Sequence, residues 1–253
     1  MNGFYFDGRN SWVRVYDDLE FLYVDTQLGG LLGLERKSGF ETVEIDFVKN
    51  NFSNGGVFID IGANFGLYSV FVSKKFPDAR VHSFEPVPDT FKILSENIAH
   101  NRCGNASINN LGLSFKNDVL KFTNDQYAGN HISFDEGRGD LVSVNVITLD
   151  NYARDNALEK IDFIKCDVEG AELFVLQGAK EIIERDHPLI LIEIYDGWTQ
   201  RFDYAAQDVI DYLLGFGYKV KIIDSESKKI EDYPCASAKG TDFIFYYGEK
   251  ITL

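Results

Sequence analysis

The run Asp60-Ile61-Gly62-Ala63-Asn64-Phe65-Gly66 sets a carboxylate ahead of two glycines four residues apart. Such glycines let a backbone turn sharply and come close to a ligand, because a Cβ would collide with it or forbid the turn. The spacing differs from the Gly-x-Gly-x-x-Gly turn that seats a diphosphate on a helix N-terminus. A carboxylate there would repel a diphosphate, whereas Asp60 suits a positively charged amino acid moiety. The plainer alternative is that both glycines only tighten a strand-to-helix turn. Glu85, in Phe84-Glu85-Pro86, follows by roughly the 20 residues expected of an acid that accepts hydrogen bonds from ribose hydroxyls. In Asn109-Asn110-Leu111-Gly112-Leu113-Ser114, Asn110 or nearby backbone could read an adenine edge with Leu111 or Leu113 against its face; a polar turn after a buried strand explains it nearly as well.

Asp167 and Glu169, two residues apart at the end of Phe163-Ile164-Lys165-Cys166, would share one face with Val168 turned away. Such carboxylates could position a sulfonium or take a proton from a nucleophile, and helix capping is compatible with both. Glu193 emerges from an apolar strand, where an acid needs a partner or a task. Tyr195 and Trp198 could stack on a sugar-like or aromatic acceptor, or belong to the core. His131, on the loop Gly129-Asn130-His131, has a pKa suited to general base work or is an ordinary loop histidine. Asp167, Glu169, Glu193 and His131 are therefore the candidate catalytic residues. Asp150, Asp167 and Asp196 could be recruited to a divalent ion, but no ligand spacing compels it, and no metal is assigned.

These turns need strands to carry them. Short apolar β-branched runs alternate with amphipathic segments from Val57 onward, the pattern of a mostly parallel sheet between two helical layers. Strands are expected near Val57 to Ile61, Arg80 to Phe84, Ser107 to Leu111, Phe163 to Cys166, Leu189 to Ile194, Lys219 to Ile223 and Asp242 to Tyr247. Helices are expected over Gly66 to Lys75, Pro88 to Asn101, Ala171 to Arg185 and Tyr204 to Gly215. Leu120 to Thr123 and Val142 to Ile147 read as a β insertion near residues 115–147, placed where loops shape substrate pockets. Residues 1–54 read as an N-terminal extension that could cap a site. In it a hairpin turns about Asp17 and Asp18, between Trp12 to Tyr16 and Phe21 to Asp25, and a helix covers Glu41 to Asn51. Residues 55–253 form the main domain.

The 253 residues carry 40 acidic and 25 basic side chains, a formal net charge of −15 that disfavours nucleic acid as a partner. Cys103, Cys166 and Cys235 follow no disulfide or metal pattern and read as free thiols in a reducing, cytoplasmic compartment. No basic-then-apolar start and no stretch of roughly 18 apolar residues appears, so neither export nor a membrane partner is expected.

The runs VFIDIGANFGLYS, FEP, NNLGLS, ITLDNYA, IDFIKCDVEGAELFVLQGA and PLILIEI together resemble the FkbM-type methyltransferases over Val57 to Ile194. The resemblance implies a class I (Rossmann-like) α/β fold: a seven-stranded, mostly parallel sheet with helices on both faces and an antiparallel last strand. It also implies S-adenosylmethionine as cofactor and methyl transfer mostly to oxygen, on a small-molecule or glycan hydroxyl. The cofactor-binding set is Asp60, Gly62, Ala63, Asn64, Gly66, Tyr68, Glu85, Pro86, Asn110, Gly112 and Asp167. Cys166 stands where the family commonly has an aliphatic residue. Residues 1–56 and those after Ile194 match no named motif, so the acceptor is unconstrained and a homo-oligomer stays open. The rivals are a non-catalytic adenosyl-binding module, a nicotinamide-dependent dehydrogenase, disfavoured by the missing third glycine, and an RNA methyltransferase, disfavoured by charge.

Overall fold

The computed structural model describes residues 3–15, 19–22, 41–124, 129–135, 137, 140–234, 239–248 and 251–252. Strands β1 (Gly3–Phe6), β2 (Ser11–Val15) and β3 (Leu19–Leu22) form an antiparallel sheet, one strand more than the expected hairpin. The proposed turn residues Asp17 and Asp18 lie outside the described residues. Helix α1 (Thr42–Asn51) closes the extension. The edge of β3 is satisfied by side chains of the main domain: Asn97 Oδ1 accepts Leu22 N at 2.7 Å and Asn101 Oδ1 accepts Glu20 N at 3.0 Å.

The main domain runs β4 (Val57–Ile61), α2 (Leu67–Lys75), β5 (Arg80–Phe84), α3 (Pro88–His100), β6 (Ala106–Asn109), β7 (Gly112–Leu113), β8 (Asp118–Thr123) and β9 (Leu141–Ile147). It continues with α4 (Leu149–Asp155), β10 (Phe163–Cys166), α5 (Glu172–Gln177), α6 (Lys180–Asp186), β11 (Leu189–Glu193) and α7 (Asp196–Thr199). Last come α8 (Ala206–Leu214), β12 (Lys219–Asp224), β13 (Lys229–Asp232) and β14 (Asp242–Tyr246). The large sheet has the order β13-β12-β14-β11-β10-β4-β5-β6. Strands β4, β5, β6, β10 and β11 are parallel, and β14 runs antiparallel to both its neighbours.

Alternate strand residues feed two cores. Phe58, Phe163, Leu191 and Ile244 join α1, α2 and α3 on one face, while Ile59, Ile61, Ile164, Ile190 and Ile192 join α4, α5, α6 and α8 on the other. Burial on both faces is why β4 reads as a continuous apolar run interrupted only by Asp60.

Four expectations need correction. The described sheet has eight strands, not seven, because β13 folds back antiparallel onto β12 after a turn in which the Asp224 carboxylate accepts Ser227 N; the same carboxylate accepts Lys239 N from the segment ahead of β14. The third strand stops at Asn109, since Gly112–Leu113 pairs instead with β9 in a separate sheet ordered β7-β9-β8. The single helix over Ala171 to Arg185 is two. A Cβ on Gly178 would sit 2.0 Å from the Ser114 carbonyl, so that carbonyl crowds the chain there, and Asp150 restarts the helix by accepting the N–H groups of Glu181 and Ile182 at 3.1 Å. Helix α4 was not expected; Thr148 Oγ1 caps it by accepting Asn151 N at 3.1 Å. Cys103 and Cys166 are buried free thiols, and Cys235 lies outside the described residues.

Candidate active site

The carboxyl ends of β4, β5 and β10 converge. Gly62 and Gly66 hold φ of +74° and +95°, conformations that favour glycine. Their close approaches are to the protein itself: a Cβ on Gly62 would lie 1.8 Å from the Asp167 carbonyl oxygen, and one on Gly66 would lie 2.6 Å from Leu94 Cδ1. The first glycine thus locks the β4 turn against the β10 turn. Asn64 also adopts a left-handed backbone, with φ +51°, and its N–H donates to Glu85 Oε2 at 3.0 Å. Val87 N donates to Glu85 Oε1 at 2.9 Å, so one carboxylate ties two loops together. Burial pushes the Glu85 carboxyl up to about 7. The Asn110 amide is spent on the carbonyls of Glu85 and Pro86, each at 2.9 Å.

These turns enclose a cleft whose walls include Gly62, Asn64, Glu85, Pro86, Gly112, Asp167 and Glu169 among the expected residues, together with Leu111, Leu113, Phe122, Asn130 and Ile132. The insertion therefore supplies one wall. Asp60, Ala63, Gly66, Tyr68, Asn110, Glu193 and His131 do not line it.

Asp60 lies behind the cleft, 1% exposed. Strand register sets Ser83, Asp60 and Lys165 side by side on one face of the sheet. Ser69 Oγ donates to Asp60 Oδ2 at 2.5 Å, and burial raises the Asp60 carboxyl. Lys165 Nζ meets Asp167 Oδ2 at 3.0 Å and lies 5.1 Å from the centre of the buried Tyr68 ring. Burial disfavours the Lys165 ammonium, but Asp167, Glu41 and Asp60 outweigh that and raise its pKa. Next along the sheet, Glu193 sits directly across from Asp242 and accepts from Thr241 Oγ1 at 3.0 Å. Burial, then Asp167 and Asp242, pushes Glu193 up to about 9; burial pushes Asp242 up to about 8 and Glu41 up to about 7. Raised in this way, the Glu193 carboxyl favours its protonated form, which donates a hydrogen bond and cannot serve as a base.

The turn after β10 holds Glu169 in a left-handed conformation, φ +55°. Glu172 Oε1 braces it, accepting Val168 N at 3.2 Å and Gly170 N at 3.0 Å, so the capping expected of Asp167 or Glu169 falls to Glu172. Gly170 packs under the Trp198 carbonyl, which a Cβ would approach to 2.6 Å, and its own carbonyl accepts the Tyr204 hydroxyl. Burial, then the charges of Asp167 and Glu172, pushes the Glu169 carboxyl up to about 7. His131 is placed differently. Its Nδ1 is 2.9 Å from the Gly129 carbonyl and its ring 6.2 Å from that of Trp198, whose face is covered by the Arg201 guanidinium at 3.9 Å. Asp196 accepts Ala206 N at 2.8 Å, and with Asp150 capping α6 neither joins Asp167. Among the described residues no group of three His, Cys, Asp or Glu is arranged to hold a metal ion, and no helix is long and apolar enough to cross a membrane.

Residues 60–220 match the Methyltransferase FkbM domain. The chain belongs to the FkbM methyltransferase family. Relatives agree. Methyltransferase sdnD of Sordaria araneosa is 31% identical over 163 residues, 52% of this chain and 63% of sdnD. The hexuronic acid methyltransferase AglP of Haloferax volcanii is 30% identical over 138 residues, 54% of this chain and 55% of AglP. The chain thus spans less than two thirds of either relative. The crystal structure of methyltransferase FkbM from Methylobacillus flagellatus shares the fold with a TM-score of 0.53 at 17% identity, covering 88% of this chain and 56% of that one. Fibrillarin from Aeropyrum pernix, solved with S-adenosyl-L-methionine bound, shares it at a TM-score of 0.51 and 13% identity, covering 96% and 97%.

In this FkbM-family chain the donor set fits a cationic nucleoside better than a phosphorylated one. The cleft presents carboxylates, an amide and apolar walls, and the side-chain oxygens Asn64 Oδ1 and Glu169 Oε2 have no hydrogen-bond partner among the described residues. Asp60 Oδ1, behind them, is also unpartnered. Sequence reasoning missed Lys165, Glu41, Asp242 and Glu172. For Lys165 the signal was present: a charge in the middle of a fully buried strand, in register with Asp60, requires a partner.

Proposed function

We propose that this FkbM-family chain methylates a hydroxyl of a small-molecule or glycan acceptor, with Glu169 as the general base. When bound, the cofactor S-adenosylmethionine supplies a methyl group on a positively charged sulfur. Glu85 accepts from the ribose hydroxyls, Leu111 and Leu113 give the base an apolar wall, and Asn64 offers its free side-chain oxygen. The carboxylates of Asp167 and Glu169 favour a positive centre at the end of the cleft. A neutral alcohol hardly ionises near pH 7. A base must therefore take its proton as the oxygen–carbon bond forms and the sulfur–carbon bond breaks, an effect of roughly 10²- to 10⁴-fold.

The observation that carries this reading is the state of Glu169. It lines the cleft, one oxygen is unpartnered, and burial pushes its carboxyl up to about 7, where a base is both available and strong enough. Asp167 is engaged by Lys165 and Glu193, so it orients the site while Glu169 moves the proton. The buried free thiols Cys103 and Cys166 suit a reducing, cytoplasmic setting.

Calorimetric titration of the folded chain with S-adenosylmethionine and S-adenosylhomocysteine tests the cofactor, and a screen with radiolabelled methyl donor tests the acceptor. Both nucleosides are expected to bind. Silence toward both at millimolar concentration would discard the reading.

A further inference from the structure

Beside the cofactor cleft lies a second, larger depression of about 560 Å³, within the roughly 300–1,000 Å³ range of small-molecule sites. Four phenylalanines build it. Phe115 and Phe134 come from the insertion, Phe174 from α5, and Phe202 from the short 3-10 turn Gln200–Phe202. Their rings touch in a chain, with centroids of Phe115–Phe174 at 5.4 Å, Phe174–Phe202 at 5.7 Å and Phe134–Phe202 at 5.5 Å. Phe134 is 67% exposed and Phe115 46% exposed. A concave apolar surface of this kind, rimmed by charge, marks a ligand groove more than an unfinished core.

Two features join the groove to the chemistry. Ile132 lines both depressions. Arg201 of the groove lies close enough to Glu169 of the cleft for their charges to interact. The charged rim is balanced in sign: Lys116 pairs with Asp118 at 2.8 Å, and Arg201 and Asp203 add one charge of each kind to the lining. Nothing there selects an anion or a cation. A bare sugar could set a C–H face on one ring and reach the charged rim with some hydroxyls, but those turned toward the other three phenyl rings would lose water without a replacement partner.

We propose that this groove is the acceptor site and takes a neutral, apolar alcohol: a hydroxyl carried on an alkyl, acyl or alicyclic body. The chemistry done there rests on the methyl-transfer reading above; the binding does not.

The test displaces Nile red from the full-length chain, without cofactor, using primary alcohols from butanol to decanol. Affinity should rise about fourfold per added methylene while the chain fits. Decanoate should bind no tighter than decanol, and glucose should not compete. Phe134→Ser and, separately, Phe115→Ser should each weaken decanol at least tenfold while S-adenosylhomocysteine affinity stays within twofold. A flat chain-length series, decanoate ahead of decanol by tenfold, competition by glucose, or decanol binding untouched by both substitutions would each overturn the proposal. So would sedimentation showing that both substitutions dissociate a dimer with alcohol binding unaltered, which would assign the face to self-association. If alcohols bind and S-adenosylhomocysteine does not, the methyl-transfer reading falls and the groove stands; the reverse removes the groove alone.

Discussion

The charged rim around Lys165, on the sheet face packed by α1, α2 and α3, and the phenylalanine groove, built on α5 of the other face, follow opposite principles. In the rim, Asp60, Lys165 and Asp167 project from adjacent central strands, so backbone register decides which charges meet. In the groove, Phe115, Phe134, Phe174 and Phe202 come from separate irregular or short segments, and only tertiary packing brings their rings together. A rim of this kind couples its members electrostatically, and its properties should move with pH. A groove of this kind should respond to the size and polarity of what enters it, and hardly to pH. Substitutions in each region can break that contrast.

The largest effect is expected at the junction of the two. Glu169→Gln should lower turnover by roughly 10²- to 10⁴-fold with cofactor affinity nearly unchanged. The wild-type rate should rise with pH through about 7 as the Glu169 carboxyl ionises, and the variant should lack that limb. An unchanged pH profile in the variant would transfer the base role to another group.

Next comes Lys165→Met. It leaves Asp60, Asp167 and Glu41 without the buried ammonium that offsets their charge, a loss of about 3–5 kcal/mol when those groups are ionised. Toward acidic pH the raised carboxyls of Glu41 and Asp60 take up protons and the loss shrinks. Thermal unfolding at pH 5 and pH 8 should therefore show a much larger deficit at pH 8. Equal deficits would mean that Lys165 acts by packing against Tyr68 alone.

Glu85→Ala is smaller. Losing charge-assisted hydrogen bonds of about 1.5–3 kcal/mol should weaken S-adenosylmethionine binding at least tenfold by calorimetry. The bonds to Asn64 N and Val87 N also vanish, so Glu85→Gln, which keeps an acceptor oxygen, should recover part of the affinity if the effect is recognition and not loop collapse.

These residues differ in how far the sequence exposes them. Asp60, Glu85, Asp167 and Glu169 are polar residues at the ends of apolar strands, and β4, β5 and β10 begin and end where the apolar pattern places them. The FkbM resemblance is confirmed by the family match, and it rests on those same turns. Other features depend on contacts between distant segments. Helix α5 stops because the Ser114 carbonyl crowds Gly178, and no local propensity marks that approach. The close approach that Gly62 permits is to the Asp167 carbonyl, which occupies the space a Cβ would need, as the plainer turn-tightening alternative has it. Phe134 and Phe115 follow no helical or strand period that would single them out, so the groove is legible only once β7, β8 and β9 are folded against α5.

The smallest expected effect separates the regions most cleanly. The carboxyls of Glu41, Glu85, Glu169 and Glu172 are raised from the ordinary 4.5 to about 7, Glu193 to about 9, and Asp242 from 3.8 to about 8, burial being the first cause throughout. The native chain therefore holds more protons than the unfolded chain between those ordinary values and about pH 9. Stability is fully present below those ordinary values and is lost progressively from there up to about pH 9, so the melting temperature should fall over that whole range. Phe134→Ser should lower stability by only about 0.5–1.5 kcal/mol, the worth of its edge contact with Phe202, because the side chain is mostly solvated already. Its curve of melting temperature against pH should run parallel to the wild type. If the two curves converge or cross between pH 5.5 and 8.5, the groove shares the protonation of the rim through Arg201 and Glu169, and the two regions are one electrostatic unit.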